Sequence, residues 1–365
     1  MLDAAEFESW FRLLETPGLG RDAVRRLLAA FGSADAVLAA PKSALRGLIT
    51  ADLADAVGAK IEGLDTRLSA AHDWQRGGER CGMLAIGEAE YPPLLLQSAD
   101  PPLLLYVQGD VRLLSQPCLA IVGSRNASAQ GVDNARAFGS HLSARGWTIV
   151  SGLAFGIDGA AHEGGLAGPG STVAVVGTGL DRVYPARHRA LAHRIAAAGV
   201  LVSEFAPGMP PLPQNFPLRN RIIAGLSRGT LVVEAAVQSG SLITARQAAD
   251  NGREVFALPG SIHSPLSRGC HVLIRQGAKL VECADDILEE LQGRPVATAA
   301  GVAVPAGGRE DPVLQALGHD PATLDALGAR TGWSTQELSA RLLELELEDR
   351  VARLPGGLYQ RRSHA

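Results

Sequence analysis

Between residues 117 and 292 short apolar runs alternate with amphipathic segments. The runs are Cys118 to Val122, Thr148 to Ser151, Thr172 to Val176, Val200 to Glu204, Thr230 to Glu234, Glu254 to Leu258 and Lys279 to Val281. Helical periodicity fills the intervals at Gly131 to Ala144, Gly159 to Leu166, Ala186 to Ala198, Arg219 to Leu226, Ser241 to Asn251 and His271 to Gln276. This alternation predicts an α/β fold, a doubly wound and mostly parallel sheet covered by helices on both faces. Residues 1–70 read instead as short helices, with Thr16-Pro17-Gly18-Leu19-Gly20 between two apolar segments. A Pro-Gly-x-Gly turn that opens a helix either presents free N–H groups to a phosphate, as in helix-hairpin-helix modules, or simply joins two packed helices. Residues 71–116 connect this part to the central domain at 117–292. Residues 293–309 are Ala, Gly, Val and Pro with almost no charge and no period, which predicts a linker. The tail, 310–365, reads helix, helix, helix, hairpin, with Ser334-Thr335-Gln336-Glu337 as a capping box and Pro355-Gly356-Gly357 as the hairpin turn, the order of a winged helix.

In a doubly wound sheet, ligands bind outside the carboxyl ends of the strands. Small residues follow several of the predicted strands there: Gly123-Ser124-Arg125, Ser151-Gly152, Gly177-Thr178-Gly179 and Ser239-Gly240-Ser241. Each loop is either a plain tight turn or a place where backbone N–H groups can approach an anion. Four of them on one edge, with arginines, predict phosphate-sized pockets. A dinucleotide fingerprint is excluded because Gly177-Thr178-Gly179-Leu180-Asp181-Arg182 has Arg where the third Gly is required. The second cluster is Asn215-Phe216-Pro217-Leu218-Arg219-Asn220-Arg221, behind a Pro-rich loop. Phe216 there is a loop plug or a stacking platform, and an aromatic beside guanidinium groups suits single-stranded nucleic acid. Tyr184-Pro185-Ala186-Arg187-His188-Arg189 adds cations on the same edge.

Composition narrows the field. A chain of 365 residues suggests two or three domains. The net charge is −4, yet residues 117–292 hold 15 Lys+Arg against 13 Asp+Glu, so the positive balance is local. No lysine falls in a P-loop pattern, which excludes that class of ATPase. Cys81, Cys118, Cys270 and Cys283 form no C-x-x-C pair, so no zinc site is expected and the thiols read as reduced ones in a cytoplasm. No run approaches a membrane span, and the N-terminus is acidic where a signal peptide would be basic.

Phe216-Pro217 with Arg219 to Ser227, then Val232-Val233-Glu234-Ala235 and Ser239 to Ala245, resembles the DprA/Smf DNA-processing family. So do Ser151 to Ala154 with Gly156-Ile157-Asp158, Gly179-Leu180-Asp181 with Tyr184-Pro185, and Tyr91-Pro92 followed by Pro101 to Val107. The resemblance, which runs from about 90 to 290, implies an extended Rossmann-like domain that binds single-stranded DNA, forms a homodimer and loads the RecA recombinase during natural transformation. It implies a SAM-like or helix-hairpin-helix-like N-terminal domain and a C-terminal winged helix. Arg125 corresponds to the arginine of the family's G-S-R loop, and Phe216 to the phenylalanine of its F-x-x-R-N-R segment. Where a basic residue often follows Tyr-Pro, this chain has Ala186, with Arg187 next to it.

Two readings follow. The first is a binder with no catalytic residue, cofactor or metal. Arg125, Arg187, Arg219 and Arg221 neutralise phosphates, Asn220 stands among them, Phe216 stacks a base, and Gly123, Ser124, Ser151, Gly152, Gly177, Gly179, Ser239, Gly240 and Ser241 offer backbone N–H or hydroxyl groups. The second is a nucleotide-metabolising enzyme resembling a nucleoside monophosphate N-glycosidase, with Glu234 as acid or base. Asp158, Glu204 and His162 read as structural. The last long helix of the tail carries Glu337, Glu344, Glu346, Glu348 and Asp349 against Arg341, which favours a protein contact or packing over duplex binding.

Overall fold

A computed structural model of the chain describes residues 2–78, 80–292, 311–318 and 321–362. The chain begins with helices α1 (Ala4–Leu14), α2 (Arg21–Phe31), α3 (Ala34–Ala39), α4 (Lys42–Leu45), α5 (Ala51–Ala56) and α6 (Leu64–Gly77). Strand β1 (Cys81–Ala85), helix α7 (Pro93–Leu96) and strand β2 (Leu104–Gly109) come next. Regular alternation then sets in, with β3 (Cys118–Val122), α8 (Ala129–Ala144), β4 (Thr148–Ser151), α9 (Ile157–Gly165), β5 (Thr172–Val175), α10 (Arg189–Ala198) and β6 (Val200–Ser203). It continues through α11 (Asn215–Leu226), β7 (Gly229–Val232), α12 (Ser241–Asp250), β8 (Glu254–Ala257), α13 (Arg268–Arg275), β9 (Lys279–Leu280) and α14 (Ala284–Gln292). The tail holds α15 (Pro312–Leu317), β10 (Ala322–Thr323), α16 (Leu324–Thr331), α17 (Thr335–Leu347), β11 (Val351–Leu354) and β12 (Leu358–Arg361).

The nine strands up to β9 form one sheet in the order β1-β2-β6-β5-β4-β3-β7-β8-β9. Every pairing from β6 to β9 is parallel, and β1 and β2 are antiparallel additions at one edge. Strands β3 to β7 are buried along their whole length, which is why they read as continuous apolar runs and not as alternating ones. From β3 the chain winds one way through β4, β5 and β6, and from β7 the other way through β8 and β9. The reversal lies between β3 and β7, the crevice where an open parallel sheet takes its ligand.

Two differences from the sequence reading bear on function. The segment 71–116, read as a connector, contributes β1 and β2 to the sheet; their antiparallel pairing needs no alternating helix pattern to announce it. Helix α11 starts at Asn215, four residues before the expected Arg219, because Pro217 falls in the first turn, where its missing N–H costs nothing. The expected linker at 293–309 lies outside the described residues. The tail folds as three helices and a three-stranded sheet, β10-β12-β11, around Leu314, Leu327, Leu338, Leu342 and Val351.

The N-terminal helices share a core with the sheet: Phe7, Phe11 and Leu27 pack with Met83, Leu104 and Tyr106. The start of α2, a candidate phosphate site by sequence, instead turns its cations inward, with Arg21 2.8 Å from Asp100 and Arg25 paired to the same carboxylate. Helices α8 and α9 approach closely because both carry glycine at the crossing. A Cβ on Gly139 would stand 2.8 Å from the Ala161 carbonyl, and one on Gly164 would run into the Arg136 carbonyl. Gly164→Ala is therefore expected to destabilise the fold by about 1–3 kcal/mol through overpacking. A lowered urea midpoint at unchanged slope would show it; an unchanged midpoint would mean the two helices are not in that register.

Candidate nucleic-acid interface

Helix α11 crosses one face of the sheet and begins at the rim formed by the strands' carboxyl ends. Phe216, Arg219, Asn220 and Ile223 follow the i, i+3, i+4, i+7 pattern of one helical face. Phe216 is half-buried at the rim, while Arg219, one turn deeper, retains 4% of its exposure. The Arg219 guanidinium donates to the carbonyls of Gly152 and Val175, donates through Nε to Asn220 Oδ1 at 3.2 Å, and lies 4.0 Å from Asp158. A Cβ on Gly152 would collide with that guanidinium, so the glycine is there to admit it. Burial pushes Arg219 down to about 10, with Asp158 opposing and Arg125 assisting, so the group stays charged at neutral pH. Asp158 in turn accepts the N–H groups of Gly152 at 3.2 Å and Ala154 at 3.3 Å.

Above this buried pair lies the exposed part of the rim. Arg125 is solvent-facing, its guanidinium 5.8 Å from the centroid of the Phe216 ring, and no carboxylate pairs with it among the described residues. The same ring meets Tyr184, with centroids 5.4 Å apart and planes tilted by 40°. Gly177 makes room beneath, since a Cβ there would stand 3.2 Å from Phe216. Across the switch crevice, Ser239 and Ser241 bond to each other through their hydroxyls at 2.7 Å, and Gly240 is exposed with open space around it. A cavity of about 370 Å³ opens between these parts, lined by Gly123, Arg125, Phe216, Asn220, Gly240 and Ser241 among others. That volume is at the lower end of those that hold small organic ligands.

The expected site residues therefore divide. Gly123, Arg125, Phe216, Arg219, Asn220, Ser239, Gly240 and Ser241 line one cavity. Ser124 stands beside it with its N–H given to the Glu234 carbonyl at 2.8 Å. Arg187 is exposed on the short 3-10 turn Ala186–His188 that follows Tyr184, outside the residues lining the cavity. The remaining expectations need correction. Arg219 is spent on internal carbonyls. Arg221 pairs with Glu204 and lies 3.2 Å from Asp100, which makes it a clamp between α11 and the N-terminal helices and not a free phosphate cation. Ser151 donates to the Ile121 carbonyl at 2.6 Å, Gly152 N–H goes to Asp158, and Gly179 N–H goes to the Met209 carbonyl at 3.0 Å. Together with Gly177 they are buried supports of the rim. Tyr184 is the addition; its signal was an aromatic in a polar, cation-rich stretch, the same signal that singled out Phe216.

Glu234 does not line the cavity. It accepts from the Ser128 N–H at 2.9 Å and from the Ser128 hydroxyl, closing the start of α8, and burial pushes its carboxyl up. His162 is fully buried: its Nε2 accepts from Leu153 N–H at 3.2 Å and its Nδ1 lies 2.7 Å from Thr172 Oγ1. Since Thr172 donates to the Ile149 carbonyl at 2.6 Å, its hydroxyl is left to accept, and the imidazole is neutral with the proton on Nδ1. No group of three or more metal-ligating side chains occurs among the described residues, and no helix there is long and apolar enough to cross a membrane. In the tail, Arg341, a cation on the otherwise acidic α17, is held 2.7 Å from Asp311.

The family model described as DNA recombination-mediator protein A matches residues 82–292, and one described as the DprA winged helix domain matches 297–357. Protein Smf of Escherichia coli is 46% identical over 283 residues, 74% of this chain and 75% of that protein. The X-ray structure of DNA processing protein A (DprA) from Streptococcus pneumoniae superposes with a TM-score of 0.64 at 38% identity, covering 77% of this chain and 96% of that one. The Helicobacter pylori protein, described as having a unique single-stranded DNA binding mode, superposes at 0.52 with 28% identity, over 58% of this chain and 96% of that one.

Two variants test this architecture. Arg219→Met leaves two carbonyls and Asp158 without their cation and is expected to cost about 3–5 kcal/mol in chemical denaturation; a loss below about 1 kcal/mol would mean the guanidinium is not the tether described. Burial, aided by the charges of Arg219 and His188, pushes His162 down to about 3. The unfolded chain then binds a proton that the folded one refuses, so stability is full above pH ~6.5 and falls as pH drops from there toward 3. His162→Gln should flatten that decline relative to the unaltered protein, and parallel pH profiles would contradict the buried neutral imidazole.

Proposed function

We propose that this chain, which belongs to the DprA/Smf family of DNA recombination-mediator proteins, binds single-stranded DNA along the rim at the switch crevice. The observation that carries the reading is the unpaired Arg125 guanidinium beside the face of Phe216, over a cavity lined by polar and small residues. A cation takes the phosphate, the ring takes a base, and the open glycine and serines opposite leave space for the sugar and backbone. Arg187 extends the cationic edge in place of the basic residue absent at Ala186. The family relation supports the further steps: protection of incoming single strands in natural transformation or in repair, delivery of the strand to the RecA recombinase, and action as a cytoplasmic homodimer through the central domain.

Nothing in this reading requires bond-making chemistry. The N-glycosidase alternative needs a carboxyl aimed at a bound nucleotide, and Glu234 is turned to Ser128 instead. For the tail, a protein contact or packing is favoured over duplex binding, since its long helix is acidic and its Arg341 is already engaged.

Binding of oligo-dT should weaken with salt at a log–log slope of about −3 to −4 for roughly 4–6 phosphates. Phe216→Ala should cost about tenfold in affinity with the slope unchanged, and Arg125→Ala a similar factor with the slope reduced by about 1. Anisotropy titrations across ionic strength read both; a Phe216→Ala variant that binds normally would remove the stacking role. Release of free base from mononucleotides, lost in Glu234→Ala, would restore the enzymatic alternative.

A further inference from the structure

Behind Tyr184 lies a second cavity of about 400 Å³ that the site above does not use. Tyr184, 48% exposed, lines this cavity and packs against Phe216, which lines the first one. The floor is apolar, from Leu153, Val176, Leu180 and Leu201. Gln108 enters from β2, half-buried, and its side-chain amide has no hydrogen-bond partner among the described residues. At the mouth, Arg189 and His193 lie one turn apart on α10, exposed and without a carboxylate among the described residues, while Arg182 is engaged by Asp181 at 2.7 Å. An apolar slot with one unspent amide and two unspent cationic or donor groups at its lip matches a planar heterocycle joined to a phosphate.

We propose that this cavity takes a further nucleotide of the same strand, its base against Tyr184 and the Gln108 amide, its phosphates at Arg189 and His193. The inference rests on the reading of the rim as a single-strand site and adds a subsite to it. Phe216 is in contact with both Arg125 and Tyr184, so a strand lying on Phe216 is led over Tyr184 to the mouth of the second cavity. Charge agrees with that path. Arg189 lines the cavity, exposed Arg187 lies two residues before it, and the carboxylate of the lining, Asp181, is held by Arg182 at 2.7 Å.

The test is a length series of labelled oligo-dT, from about four to sixteen nucleotides, titrated against the full chain. Affinity should step up at the length that first reaches the second cavity. Ala196→Phe, which fills the cavity from α10, and Gln108→Leu should each lose about tenfold above that step and nothing below it. The double variant Arg189→Ala/His193→Ala, altered only at the surface, should lose affinity and salt dependence above the step alone. Unchanged length profiles in all three variants, with Phe216→Ala still weakening every length, would overturn the subsite and leave the rim reading standing. Equal losses at all lengths would overturn it too, since the cavity would then not be a separate subsite. If Phe216→Ala weakens no length, the rim reading fails and the subsite with it. Tight binding of dTMP alone, abolished by Ala196→Phe while long strands bind normally, would assign the cavity to a free nucleotide and overturn the proposal.

Discussion

One buried guanidinium fixes the geometry of the rim. Arg219 reaches from α11 under the ends of β4 and β5 and satisfies two carbonyls that the strands leave unpaired as they terminate. Carbonyls at buried strand ends need partners as much as helix ends do, and no water-filled space is required when a side chain supplies them. The cost of burying the cation is offset by Asp158, itself held by two N–H groups of the β4 loop. Because Arg219 sets the rotation of α11, it also sets where Phe216 stands, one turn nearer the surface on the same helical face. The position of the Phe216 ring is thus decided by a residue that is itself almost wholly buried.

The same helix carries a second arginine with a different task. Arg221 turns to Glu204 and Asp100, and Asp100 is shared with Arg21 and Arg25 of the N-terminal helices. Cations of α11 and α2 therefore neutralise carboxylates at a domain junction, and the charge that remains for a ligand is Arg125, with Arg187 and Arg189 farther along the edge. This explains how a chain of net −4 can present a positive rim. Asp158, Glu204 and Asp100 are matched by arginines in the interior and at the junction, and Arg125 is left without a carboxylate, among the described residues, just after β3.

The alternation of apolar runs and helices made the parallel sheet legible, because strands buried on both faces leave a pattern that few other folds produce. Strands β3 to β8 fall within a residue or so of the expected runs at most ends. The antiparallel edge was not legible: β1 and β2 are separated by a loop with its own short helix and carry no period that distinguishes them from a connector. In the candidate site, Arg125 is singled out by its place in the small-residue loop after β3, and Phe216 as an aromatic in a polar, Pro-stiffened loop. Arg219 and Arg221 could not be told from them, since sequence shows a charge and not the carbonyl or carboxylate that consumes it. The glycines misled for a related reason. Gly152 and Gly177 are small because a guanidinium and a ring occupy the space a Cβ would need, and a requirement set by neighbours distant in sequence looks the same as one set by a ligand.

On the proposed reading, affinity and selectivity come from different atoms. Arg125, Arg187 and Arg189 meet phosphates, which duplex and single strand both offer, so their contribution falls with salt and discriminates little. The rings of Phe216 and Tyr184 need the flat face of a base, and in a duplex those faces are occupied by neighbouring pairs. Stacking is insensitive to salt and available only to an unpaired strand. The rings are held at the rim, tilted against each other and not recessed, so a base can reach them without the backbone entering the crevice. Preference for single strands then follows from where Arg219 places one phenylalanine, and raising ionic strength should sharpen that preference while lowering the affinity.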